Sequence, residues 1–135
     1  MTLYMLDTNI LSYFLKGMQP GLTARMAQTL RTQNSAISAI TRAEMRYGQA
    51  LVAADDKRRR GIDLLLGQLP TLPWTAAAAD RYGDIQSQFK KQGTPIGEMD
   101  TQIAAHALAE NLVLVTHNTR HFERVAGLRL EDWMR

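Results

Sequence analysis

Three acids and one amide stand out by where they fall. Asp7 directly follows the apolar run TLYML, Glu44 lies one helical turn past SAISAI, Asp100 opens the segment DTQIAAHAL, and Asn118 sits just behind LVLVT. Each therefore ends a strand-like run or begins a helix-like one. Glu44, four residues past Ile40 and three before Tyr47, falls on the stripe that helical spacing marks as apolar. Asp100 shares a face with Ile103, Ala104 and Ala107 in the same way. Carboxylates that face inward need partners, and three of them at one point repel one another. A hard divalent cation resolves that conflict, because Mg²⁺ takes oxygen ligands and is usually held by one or two carboxylates together with water and substrate phosphate. Such a site can activate water and stabilise a phosphoryl oxygen.

Plainer readings stand beside this one. Asp7 and Asn118 could simply cap helices, Asp100 could complement the positive end of a helix dipole, and Glu44 could pair with Arg42, Arg46 or another arginine. His117 and His121, four apart, offer a zinc pair, against which counts the lack of a Glu after His117 in the zincin pattern. His106 lies on a different helix face from Asp100 and reads as structural.

The elements that must position these groups are short apolar strands alternating with longer helices. TLYML (2–6) reads as a buried strand, TNILSYFLK as a helix stopping at Gly17, and Pro20 as the opening of a second helix. SAISAI (35–40) reads as a strand, followed by the helix TRAEMRYGQALVAA with Ile40, Ala43, Tyr47 and Leu51 on one inward face. GIDLLLGQL is helical up to Pro70, TLPW is a short strand, and TAAAADRYGDIQSQFKK is a helix closed by Gly93 and Pro95. A further helix starts near Glu98, LVLVT (112–116) is the clearest buried strand, TRHFERV is a helical turn and LRLEDW an edge strand. This alternation predicts an α/β domain with a mainly parallel central sheet covered by helices on both faces. Open parallel sheets place their sites beyond the carboxyl ends of the strands, where the four polar positions lie.

With 135 residues, 45% of them hydrophobic, the chain suits a single domain over residues 1–135. The absence of cysteine excludes disulfides and thiolate metal sites. Neither a basic-then-apolar leader nor a run of about 18 apolar residues occurs, so the expectation is a soluble protein of the cytoplasm. Lys and Arg number 16 against 13 Asp and Glu, and sequestering three acids on a cation would leave a more basic surface, one that attracts a polyanion such as RNA. The run DDKRRR reads equally well as a solvated helix start.

Four blocks then carry a resemblance: MLDTNIL, ITRAEMRYG (40–48), TPIGEMDTQIAAHAL (94–108) and LVLVTHNTRHFERVAGLRLEDW (112–133). In this order, across nearly the whole chain, they resemble the motifs of the PIN-domain VapC toxins, the ribonuclease halves of bacterial VapBC toxin–antitoxin pairs. The resemblance implies a PIN-like fold with an acidic pocket, in which Asp7 and Asp100 hold Mg²⁺ (or Mn²⁺) and Glu44 completes the triad. Asn118 stands where many PIN domains carry a fourth acid; its amide brings no charge and cannot act as a base. Glu98 stands where a proline is common in relatives.

For activity, the resemblance implies an endoribonuclease in which Glu44 orients a water for in-line attack, leaving 5′-phosphate and 3′-hydroxyl ends. Structured RNA, foremost a tRNA anticodon region, is the implied substrate, with Arg42, Arg46, Lys57 to Arg60, Arg120 and Arg124 as a backbone-binding rim. The implied partner is a VapB-type antitoxin whose C-terminal segment covers the groove and whose N-terminal half binds operator DNA. Tyr13, Phe14 and Met18 are candidate antitoxin contacts or ordinary core, and a homodimer is usual for the family. Two rivals remain. A non-catalytic RNA- or partner-binding module fits Asn118 in the fourth position. A phosphotransfer domain fits less well, because LDTN lacks a second aspartate two positions on and no lysine follows LVLVT.

Overall fold

Alternation along the first strand, β1 (Tyr4–Leu6), sends Met5 and Leu6 to opposite faces, and both are fully buried. In the computed structural model, which describes residues 1–135, β1 is the middle strand of a five-stranded sheet. The order is β3-β2-β1-β4-β5, with β2 (Ser35–Ser38), β3 (Thr71–Leu72), β4 (Val113–Val115) and β5 (Leu130–Glu131). Every pairing is parallel, Met5 standing opposite Ala36 on one side and Leu114 on the other. Parallel neighbours require crossovers, which the helices supply and which bury both faces.

One core gathers Met5 and Leu114 with Ile85, Phe89, Ile103 and Phe122, beneath α5 (Ala76–Gln92), α6 (Glu98–Ala109) and α7 (Thr119–Phe122). The other gathers Leu6 and Val115 with Ile10, Leu22, Met26, Met45 and Leu66, beneath α1 (Thr8–Lys16), α2 (Pro20–Thr32), α3 (Ala39–Ala50) and α4 (Lys57–Gln68). Helix α1 ends at Gly17 with φ 65°, the left-handed conformation glycine adopts without penalty. Pro20 occupies the first turn of α2, where its missing N–H costs nothing.

Two expectations change. Strand β2 stops at Ser38, whose hydroxyl accepts the Ile40 N–H at 3.0 Å and starts α3 earlier than the apolar pattern indicates. Helix α3 also turns a different face inward: Thr41, Met45 and Gln49 are buried, whereas Tyr47 and Leu51 are each 69% exposed. The buried polar side chains are bonded. Thr41 Oγ1 lies 3.2 Å from Thr8 Oγ1, and Gln49 Nε2 donates to the Arg59 carbonyl and to Asp63, both at 2.9 Å.

Candidate active site

Asp7 follows β1 and caps α1, its Oδ1 accepting the Asn9 N–H at 2.6 Å. Its Oδ2 accepts the hydroxyl of Thr116, at the end of β4, also at 2.6 Å. The carboxylate is thus pinned between adjacent strand ends and buried. Burial pushes its pKa above the usual 3.8, and the charge of Asp100 adds to the rise. The bonds from Thr116 and Asn9, with the charge of His121, pull the other way.

Glu44 projects from the second turn of α3, half-buried, and its Oε1 accepts the Thr8 hydroxyl at 2.7 Å. Asp100 lies in the first turn of α6, which starts from Gly97 at φ 99° without a side-chain cap. Its Oδ2 is 3.1 Å from His121 Nε2, which also lies 2.5 Å from the Ile96 carbonyl. Two oxygen acceptors at one nitrogen assign the proton to Nε2. Burial raises the Asp100 pKa, Glu44 raises it further, and His121 opposes both.

Asn118 occupies the cap position of α7 but makes no side-chain capping bond. It is exposed, and its backbone N–H donates to Thr116 Oγ1 at 3.0 Å. The chain thus brings Asp100 within electrostatic reach of both Asp7 and Glu44 and leaves the exposed Asn118 side chain without a capping bond. No three acidic or histidine side chains are already drawn together as a finished metal cluster, since Glu44 is turned to Thr8 and Asp100 to His121. The donor set is nevertheless hard oxygen throughout. Two of its carboxyls carry raised pKa values because burial and like charge disfavour ionisation, a cost that a bound cation offsets. These residues therefore fit a Mg²⁺-type ion held by one or two carboxylates.

Thr8, Thr116 and His121 are the supporting residues that sequence reasoning missed. The hydroxyl next to Asp7 and the one opening THN were the available signals, whereas nothing in the sequence pairs His121 with Asp100. His117 and His121 form no zinc pair, because His117 turns to Asp132 at 3.0 Å. Glu98 lies outside the carboxylate cluster, exposed and 3.5 Å from the Tyr82 hydroxyl. Much of the expected basic rim is internally engaged: Arg42 with Thr71, Arg46 with Asp63, Arg58 with Asp56, Arg59 with the Val52 and Ala53 carbonyls, and Arg124 over Phe89. Lys16 and Lys57 instead border a groove of about 590 Å³ between α1, α3 and α4, which includes Leu15, Val52 and Ile62 and reaches Thr8 and Glu44.

Comparison with known proteins follows the same outline. Residues 4–128 match the PIN domain family. The chain is 37% identical over 130 residues to the tRNA(fMet)-specific endonuclease VapC of Shigella flexneri, covering 96% of this chain and 97% of that one. It is 39% identical over 131 residues to the Ribonuclease VapC of Haemophilus influenzae, covering 97% and 98%. Among solved structures, DNA-bound VapBC from Salmonella typhimurium contains a chain that superposes with a TM-score of 0.90 at 34% identity, covering 98% of this chain and 99% of that one.

Proposed function

The chain belongs to the PIN domain family, among its VapC members, and from that premise we propose that it is a Mg²⁺-dependent endoribonuclease toxin. The observation that carries this reading is the electrostatic burden at the strand ends: Asp7 and Asp100, each with a raised pKa, feel one another, and Asp100 also feels Glu44. Asp7 and Asp100 would hold the ion, with Glu44 beside it. When bound, Mg²⁺ or Mn²⁺ supplies positive charge against the phosphoryl oxygens and makes water more acidic.

The protein's own groups do the rest. Thr116 holds Asp7 in one orientation, while His121 holds Asp100. Glu44, sharing its only hydrogen bond with Thr8, is placed to orient a water and take its proton during in-line attack, which leaves 5′-phosphate and 3′-hydroxyl ends. Asn118 is an exposed neutral polar group, suited to positioning substrate or solvent. The substrate proposed is tRNA, in keeping with the name of the Shigella relative.

The partner proposed is a VapB-type antitoxin, in keeping with the VapBC complexes among the similar structures. Its C-terminal segment would lie in the groove between α1, α3 and α4, whose apolar walls and two lysines suit an amphipathic, acidic helix. Contact with operator DNA would come through the antitoxin. The exposed Tyr47 and Leu51 on α3 favour a homodimer, and the cytoplasm is the proposed site of action.

The test is cleavage of total tRNA by protein freed of antitoxin, in Mg²⁺ or EDTA, beside Asp7→Asn and Asp100→Asn. Discrete Mg²⁺-dependent fragments with 5′-phosphate ends, lost in both variants, are the expected result. A 2′,3′-cyclic phosphate would exclude attack by water. RNA binding with no cleavage in any sample would instead favour the non-catalytic binding module.

A further inference from the structure

Two aromatic rings on the segments that follow Asp7 and Thr116 are left unused by this mechanism. Tyr13 lies on α1, about 9 Å along the helix from Asp7 at 1.5 Å per residue. His117 directly follows Thr116, the residue bonded to Asp7. The rings meet edge to face, centroids 6.0 Å apart at 87°, although they belong to different elements. Tyr13 is 38% exposed and the His117 side chain 43%.

His117 is also held in place. Its Nδ1 lies 3.0 and 3.3 Å from the two oxygens of Asp132, whose side chain is 8% exposed and also accepts the Met134 N–H at 2.9 Å. A carboxylate on Nδ1 assigns the proton there and leaves Nε2 for another partner. Lys16 Nζ sits 5.9 Å from the Tyr13 ring centre, within reach of a phosphate passing that ring.

We propose that Tyr13 and His117 form a subsite for an unstacked nucleobase next to the scissile phosphate, Tyr13 supplying a stacking face and His117 Nε2 meeting the base edge. The proposal rests on the ribonuclease reading above and deepens it: it names the group that chooses where single-stranded RNA is cut. Sequence-specific RNA recognition commonly stacks splayed bases on aromatic rings. The chemistry favours a base over a protein segment. The wide apolar groove that suits a helix lies between α1, α3 and α4 and is lined by Ser12 and Leu15, whereas the Tyr13 patch is one ring wide and edged by Lys16 and His117.

The test compares wild type with Tyr13→Ala, Tyr13→Phe and His117→Ala, each checked for an unchanged Tm and unchanged Mn²⁺ affinity. Total tRNA is the probe, with binding measured in EDTA and cleavage mapped in Mg²⁺. Tyr13→Ala should lose about tenfold in kcat/KM, mainly through KM, and should bind tRNA more weakly in EDTA. Tyr13→Phe should recover both, and His117→Ala should relax the choice of base at the cut. Unchanged cutting in Tyr13→Ala and His117→Ala, with wild type active, overturns the subsite and leaves the ribonuclease reading standing. If Tyr13→Ala instead weakens antitoxin binding alone, the ring is a protein contact and the proposal fails. Should wild type not cleave at all, the ribonuclease reading fails, and binding in EDTA decides the subsite: Tyr13-dependent affinity supports it and equal affinity overturns it.

Discussion

Asp7 caps α1 through one oxygen and takes the Thr116 hydroxyl on the other, yet burial and Asp100 still hold its pKa above the ordinary 3.8. The native state therefore binds this proton more tightly than the unfolded chain does. Stability falls as pH rises from about 3.8 through the higher folded value, and the full cost is present at pH 7. Asn at this position keeps an acceptor for the Asn9 N–H, turns an amide N–H toward Thr116 Oγ1 so that this hydroxyl accepts instead of donating, and removes the charge. Asp7→Asn should lower kcat by about 10²–10³ while raising the stability of the metal-free protein at pH 7 by on the order of 1 kcal/mol. Urea unfolding at several pH values checks this, and the advantage should vanish toward pH 3.8. A variant less stable than wild type at pH 7 would show that the charge is not a burden. Thr116→Val removes the donor that holds the Asp7 pKa down, so the acid limb of the pH–rate profile should move to higher pH. Stability should fall by about 1–3 kcal/mol as the Asn118 N–H also loses its acceptor. A profile that does not move would mean Asp7 does not titrate in the rate-limiting step.

Helix α6 carries Asp100 at its start and His106 two turns later. The His106 ring, fully buried, places Nδ1 2.7 Å from Ser38 Oγ, at the junction that launches α3 and Glu44. Nε2 makes no hydrogen bond of normal geometry, although the Pro73 carbonyl still favours its protonated form. Burial dominates and pulls the pKa below 6.5, so the unfolded chain takes up the proton first and stability drops as pH falls below about 6.5. His106→Phe should flatten that loss between pH 7.5 and 5.5 while lowering stability at pH 7.5, both read from urea midpoints. A variant with the wild-type pH slope would assign the acid sensitivity elsewhere. This element also shows what the sequence makes legible. Asp7 behind β1, Asp100 in the first turn of its helix and the bounds of α1 could be read, because Gly17 and the apolar spacing are local signals. The inward face of α3 could not, because Thr41 and Gln49 are buried through bonds to Thr8, Arg59 and Asp63, and hydrophobic periodicity assigns such residues to solvent. The role of His121 escaped for a different reason: its partners, Asp100 on α6 and the Ile96 carbonyl in the loop before it, are remote in sequence.

The whole molecule carries a formal net charge of +3, but that number says little about RNA, because most arginines of the expected rim already serve the fold. Arg59 ties the end of α3 to α4, while Arg46 and Arg58 are committed to Asp63 and Asp56. Electrostatic attraction should therefore come from the cations without such partners, Arg60 and Arg120 among them and Lys16 and Lys57 above all, since these two lysines border the groove leading to Glu44. If the RNA backbone follows that groove, each lysine removed deletes one phosphate contact and the counterion release that goes with it. The slope of log affinity against log salt should then fall by about 0.7 for each of Lys16→Ala and Lys57→Ala, with little change in cut-site choice. Titrations of labelled tRNA in EDTA at several salt concentrations measure the slope directly. The same groove is the proposed seat of the antitoxin, so the two lysines should also weaken that complex when replaced, and antitoxin and tRNA should compete for the free protein. Lysine variants with an unchanged slope would route the RNA away from this groove, across other cations such as Arg120 on α7. Inhibition by the antitoxin would then have to act on the acidic pocket without displacing the RNA backbone.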